Sequence, residues 1–69
     1  MIVTIKTPNP RAQLKGMFEA MKYGLEAEKY VDNSFDLVVH DLTKAEYIAN
    51  YCGGKIKTIV DQLQYPVYE

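Results

Sequence analysis

The chain of 69 residues has one cysteine, one histidine, no tryptophan, four glycines and three prolines. A lone thiol, Cys52, cannot form an internal disulfide, and it excludes a four-thiolate zinc site. Small secreted domains usually depend on disulfides, so a reducing cytoplasm is the expected compartment. No apolar run reaches the roughly 18 residues that mark a membrane span. The N-terminal stretch lacks the basic segment and cleavage site of a secretory signal. Nucleophilic catalysis by a Cys–His pair would need His40 beside Cys52, and the carboxylates fall into no interpretable pair. Gly53-Gly54-Lys55 lacks the spacing of a phosphate-binding P-loop, and residues 32–36 lack the glycine and distant glutamate of an EF-hand loop. The expectation is a non-catalytic protein with no cofactor and no metal. The net charge is -1, which weakens any case for broad nucleic-acid binding.

What the chain does hold is apolar material, 48% of its residues, and six tyrosines against two phenylalanines. That is ample for a core and too much for disorder. Residues 1–7 alternate like a strand, and Thr7-Pro8-Asn9-Pro10 ends it. Asn9 suits an N-cap, and Pro10 the first helical position. Residues 10–31 then read as one long helix with three faces, the rival reading being that Gly24 ends the helix early. Leu14, Met17, Phe18, Met21 and Leu25 form a bulky apolar side. Arg11, Lys15, Glu19, Lys22, Glu26 and Lys29 form a charged stripe. Ala12, Gly16, Ala20, Tyr23, Gly24, Ala27 and Tyr30 form a side of small residues and tyrosines. With charge on only about a third of the circumference, both remaining sides are expected to be buried. The small-residue row suits close packing on a second helix.

Residues 31–34 read as a turn and 35–40 as a second strand. Strand, helix, strand implies parallel pairing with a right-handed crossover. Thr43 and Glu46 have capping-box spacing. Apolar residues from Ala45 to Leu63 keep one helical phase straight through Gly53-Gly54, so a single helix over 43–64 is expected. The rival reading is a helix that stops at Gly53, followed by a strand over 55–60. Pro66 leaves 65–69 as a tail beyond a single domain spanning 1–64.

The fold class that follows is α/β: a small two-layer β-α-β-α domain, with two long helices packed on one face of a short sheet. The helices should cover Val3, Ile5, Phe35, Leu37 and Val39, leaving Ile2, Thr4, Lys6, Asp36, Val38 and His40 on the other side. Two strands alone are rarely stable, so dimerisation is expected to complete the sheet or bury the small-residue helix side.

Three functional readings come from these residues. The first is a small protein-binding regulator or inhibitor. Its tyrosine-rich helix flanks (Tyr23, Tyr30, Tyr47, Tyr51) and tail tyrosines (Tyr65, Tyr68) would touch another protein. Chains of this size and make-up are common among accessory proteins of bacteria and their viruses, a class-level analogy. The second is a nucleic-acid-binding module using Lys6, Arg11, Lys15, Lys22 and Lys29. The third is an anion or nucleotide sensor, with His40 and Thr43 at a helix N-terminus.

Overall fold

The computed structural model describes residues 1–60. The expected tail, with Tyr65 and Tyr68, and the last part of the expected second helix lie outside the described residues. The elements run β1 (Ile2–Lys6), α1 (Pro10–Lys22), β2 (Glu26–Lys29), β3 (Ser34–Val38), α2 (Leu42–Cys52) and β4 (Lys55–Val60). They build a four-stranded sheet in the order β2-β3-β1-β4, with every neighbouring pair antiparallel. This is an α/β fold, but the expected β-α-β-α order is corrected to β-α-β-β-α-β, the succession of the ferredoxin-like or split βαβ motif.

The correction begins at Gly24. Asn9 and Pro10 start α1 as their chemistry dictates, the Asn9 side chain accepting from the Ala12 N–H at 2.8 Å. The expected helix over 10–31, however, stops after Lys22. Gly24 takes a left-handed φ of 76°. The Gly24 N–H donates to Met21 O at 3.0 Å and the Leu25 N–H to Ala20 O at 3.1 Å. Those two bonds are the Schellman closure that a left-handed glycine permits. Residues 26–29 then form β2, although Glu-Ala-Glu-Lys favours helix, because pairing with β3 satisfies a backbone that helix would otherwise satisfy. The expected parallel partnership of β1 with the strand at 35–40 is also corrected. β1 pairs with β3 antiparallel, Val3 opposite Leu37 and Ile5 opposite Phe35. β1 runs parallel to β2, but β3 lies between them, and β3 ends at Val38 rather than residue 40.

The second helix ends in the same way. Gly53 has φ 75°, its N–H reaches Asn50 O, and the Gly54 N–H donates to Ala49 O at 2.8 Å. The expected helix over 43–64 is therefore overturned in favour of α2 and the edge strand β4. The capping box fails too: Asp41 is the N-cap, accepting from the Lys44 N–H at 3.3 Å, and Thr43 lies inside the helix.

The buried side of the sheet matches expectation. Val3, Ile5, Phe35 and Leu37 are fully buried, Val39 nearly so, and they join Ala20, Ala45, Ile48, Ala49 and Cys52 in one core. Ile2, Thr4, Lys6, Asp36, Val38 and His40 are half-buried or exposed. What differs is which side of α1 faces that core. Ala12, Gly16 and Ala20 turn inward, and a Cβ on Gly16 would stand 2.7 Å from Phe35 Cζ and 2.9 Å from Cys52 Sγ. The small-residue row therefore meets the chain's own phenyl ring and thiol. Both reasons for expecting dimerisation, an incomplete sheet and an unpartnered small-residue side, are gone.

Gln13 is a buried polar residue that the periodicity gave no reason to place inside. Its amide donates from Nε2 to Tyr30 O at 2.8 Å and to Ser34 O at 2.7 Å, tying α1 to both ends of the β2–β3 turn. Thr7 clamps the same turn from β1, its N–H donating to Asn33 O at 3.2 Å. Gln13→Ala strips donors from two carbonyls in a covered site. It should destabilise the protein by about 2 kcal/mol, roughly 10 °C of melting temperature at this length. A circular-dichroism melt unchanged from wild type would show that water replaces the amide at no cost.

Candidate interaction surface

Because the small side of α1 is turned to the sheet, most of its bulky side is turned away from it. Leu14, Phe18 and Met21, spaced i, i+4, i+7, stand on one stripe. They are 40%, 60% and 60% exposed. Arg11, Lys15 and Lys22 follow one flank of that stripe, and all three are exposed. Burial was expected for the whole of this side and is met in part by Met17 and Leu25, which pack against the core, but a single sheet cannot cover two faces of one helix. The inner face went to the residues small enough for close approach.

On the α2 side of α1, three of the six tyrosines come together. Tyr23 and Tyr47 meet edge to face with centroids 5.8 Å apart, and Tyr47 and Tyr51 are tilted at 6.1 Å. Such geometries are favoured by the ring quadrupole. Lysines sit over the two outer rings, Lys15 Nζ 4.9 Å from the Tyr51 centroid and Lys44 Nζ 4.4 Å from that of Tyr23. Beneath them lies Glu19, another polar residue taken inside, whose side chain is only 5% exposed. It accepts from the Tyr47 hydroxyl at 2.6 Å and pairs with Lys22 Nζ at 3.3 Å. The hydroxyl holds the Glu19 carboxyl below its ordinary pKa and the Tyr47 phenol above its own, while Glu19 raises Lys22. Tyr23, Tyr47 and Tyr51 are each 41–50% exposed, so a supported polar–aromatic patch faces outward, with Lys15 between it and the apolar stripe: Lys15 sits over Tyr51 and lines a depression with Leu14 and Phe18.

The depressed Glu19 pKa fixes a sign. The folded state binds this proton less readily than the unfolded chain, whose value is near 4.5. The stabilisation is present in full above that value and is lost as pH falls through the lower folded value. Melting temperature measured from pH 7 down to about pH 3 should therefore fall less steeply in Glu19→Gln than in wild type. Parallel curves would remove Glu19 from the acid response.

Among the described residues, Tyr30, Lys6 and Lys29 do not join this patch. Tyr30 belongs to the opposite side of the sheet. Its hydroxyl donates to Asp36 Oδ2 at 2.6 Å, which pushes its pKa to about 12, and Thr4 Oγ1 donates to the other carboxylate oxygen at 2.5 Å. Lys29 lines a shallow concavity there with Lys57, Thr4 and Thr58. Lys6 pairs with Asp32 at 3.8 Å. The five residues of the nucleic-acid reading are thus split, with Arg11, Lys15 and Lys22 on α1 and Lys6 and Lys29 on the sheet. A four-stranded sheet that reads RNA stacks bases on aromatics of its central strands. The outward positions of β1 and β3 here carry Ile2, Thr4, Lys6, Asp36 and Val38 instead.

His40 and Thr43 are exposed on either side of the α2 N-terminus. The Asp41 carboxylate already occupies the role an anion would take there. Cys52 is buried against α1, and burial raises its thiol pKa, the setting of an inert sulfhydryl. Among the described residues no group of three His, Cys, Asp or Glu side chains could hold a metal ion, and no helix is long and apolar enough to cross a membrane. No family model, no curated protein and no solved structure matches the chain, so its functional reading rests on this geometry alone.

Proposed function

We propose that this chain is a small protein-binding regulator or inhibitor that docks on its partner through the outer side of α1 and the adjoining tyrosines of α2. The reading fits a reducing compartment, where Cys52 stays a buried thiol. The observation that carries it is the exposed Leu14–Phe18–Met21 stripe next to Tyr23, Tyr47 and Tyr51. Contiguous exposed apolar side chains on a small protein mark an interaction site more often than chance. Tyrosines with a rigid, supported pose lose little entropy on binding and are enriched among interface hot spots. The tyrosines alone suggested a protein partner. Leu14, Phe18 and Met21 strengthen that suggestion, because Leu14 and Met21 offer a nucleic acid neither a stacking face nor a donor.

Affinity capture from a nuclease-treated lysate of the cells that make the protein tests the reading. Wild type, a Phe18→Ser/Met21→Ser variant and a Lys57→Ser control on the opposite sheet face are compared by quantitative mass spectrometry. Because Phe18 and Met21 are 60% exposed, their replacement should leave the melting temperature within about 2 °C of wild type. The expected result is a protein retained by wild type and control and lost by the double variant. Equal retention by all three would sink the reading.

A further inference from the structure

Resting on that reading, we infer that the partner presents an acidic amphipathic helix, laid along the outer side of α1 with its apolar stripe on Leu14, Phe18 and Met21. The three side chains span about 10 Å along the axis of α1 at 1.5 Å per residue. A facing helix with apolar residues at the same i, i+4, i+7 spacing fills such a ridge. A shallow, open depression lined by Arg11, Leu14, Lys15 and Phe18 lies along this stripe.

Charge selects the occupant. Among the described residues no carboxylate pairs with Arg11, Lys15 or Lys44, and the Lys22 partner, Glu19, is buried beneath it. Lys15 and Lys44 rest on tyrosine rings, which position an ammonium without neutralising it. Arg11, Lys15 and Lys22 beside the stripe, and Lys44 over the end ring of the tyrosine row, therefore leave this surface cationic, although the whole chain carries -1. A second copy docking by the same patch would set these cations against each other across a two-fold axis. A carboxylate-bearing helix would meet them with complementary charge. Nucleic acid would meet the cations but leave Leu14 and Met21 without a matching surface.

The test is a selection of randomised helical peptides of about 20 residues, displayed on phage, against the intact protein. Peptides recovered on wild type should carry apolar residues at i, i+4, i+7 and a net negative charge. Their affinity should fall at least about tenfold when their Asp and Glu are replaced by Lys. Phe18→Ser/Met21→Ser should lose them, and Lys15→Glu/Lys44→Glu should recover net positive peptides instead. Neutral or basic winners that still vanish with Phe18→Ser/Met21→Ser would overturn the acidic partner and leave docking at this side standing. Winners indifferent to Phe18→Ser/Met21→Ser would overturn both. Sedimentation showing a dimer that the same double variant dissolves would assign the surface to a second copy. Binding of single-stranded DNA tighter than the best peptide, falling steeply between about 50 and 200 mM salt, would assign it to nucleic acid. Either result overturns the inference.

Discussion

Phe35→Ala should leave the protein largely unfolded at physiological temperature. Phe35 is the largest fully buried side chain, in the middle of the sheet, with β1 and β2 paired on either side of β3. Removing a phenyl ring from a core costs about 3–5 kcal/mol. A domain of this length has roughly 3–10 kcal/mol to lose, and the melting temperature should drop by about 15 °C or more. The surroundings offer little collapse. Opposite the ring stands Gly16, whose missing side chain is the space the ring occupies. A reciprocal effect follows. Gly16→Ala gains about 1 kcal/mol of helix propensity but places a methyl 2.7 Å from Phe35 Cζ, and overpacking of that kind costs about 1–3 kcal/mol. A Phe35→Leu background relieves the contacts with the ring and leaves only the one with Cys52 Sγ at 2.9 Å, so the two substitutions should be less damaging together than their sum by about 1 kcal/mol. Urea titrations of the four proteins measure the coupling. Strict additivity would mean that α1 shifts as a body and that the ring–glycine contact is not what seats it.

The same pair of residues shows what the sequence could and could not say. Alternation over 1–7 and 35–39 marked the buried side of the sheet correctly, because a strand has only two sides and one of them was plainly apolar. The Asn9-Pro10 start and the turn expected at 31–34, which occupies 31–33 with Ser34 opening β3, were legible because their chemistry is local: a side-chain acceptor, a fixed φ, and Asn33 tolerating a φ of 71°. The stripe of α1 was legible as a pattern but not as an orientation. Two apolar sides compete for one sheet, and the outcome depends on how near Phe35 and Cys52 come, which is a tertiary fact. β2 was hidden because Glu26, Ala27, Glu28 and Lys29 continue the helical phase and are good helix formers, and nothing local announces that β3 is waiting to pair with them. Glu19 and Gln13 were hidden for a related reason. Each is a polar residue taken inside by a partner far along the chain, the Tyr47 hydroxyl for one and the carbonyls of Tyr30 and Ser34 for the other. The tyrosine group of the candidate surface was half legible. Tyr47 and Tyr51 are helix neighbours four apart, but Tyr23 reaches them only because Gly24 ends α1 beside α2.

The two adjacent glycines after α2 should respond to alanine in different ways and by different amounts. At Gly53 nothing lies within 4 Å of the place a methyl would take, so space is free and only the backbone objects: a φ of 75° costs an L-residue about 1–2 kcal/mol. Gly53→Asn should recover part of that loss, since asparagine visits this region readily. At Gly54 the φ is ordinary and the space is not. A methyl there would stand 2.8 Å from the Lys6 carbonyl oxygen and 2.8 Å from Ile5 Cγ2, with Thr7 Cγ2 at 3.2 Å. A main-chain carbonyl in a paired strand cannot swing aside as a lysine tip would. Gly54→Ala must push β4 off β1 at the Ile5–Lys6 end, next to the register shift between Thr4 and Ile5. A loss of about 3 kcal/mol is expected, and Gly54→Asn should make it worse rather than better. Amide hydrogen exchange locates the damage. Protection should fall across β4 and the end of β1 in Gly54→Ala, whereas Gly53→Ala should loosen only the last turn of α2. Matching exchange patterns in the two variants would mean that the turn tolerates the methyl by moving as a unit, and that close approach to β1 is not what keeps residue 54 a glycine.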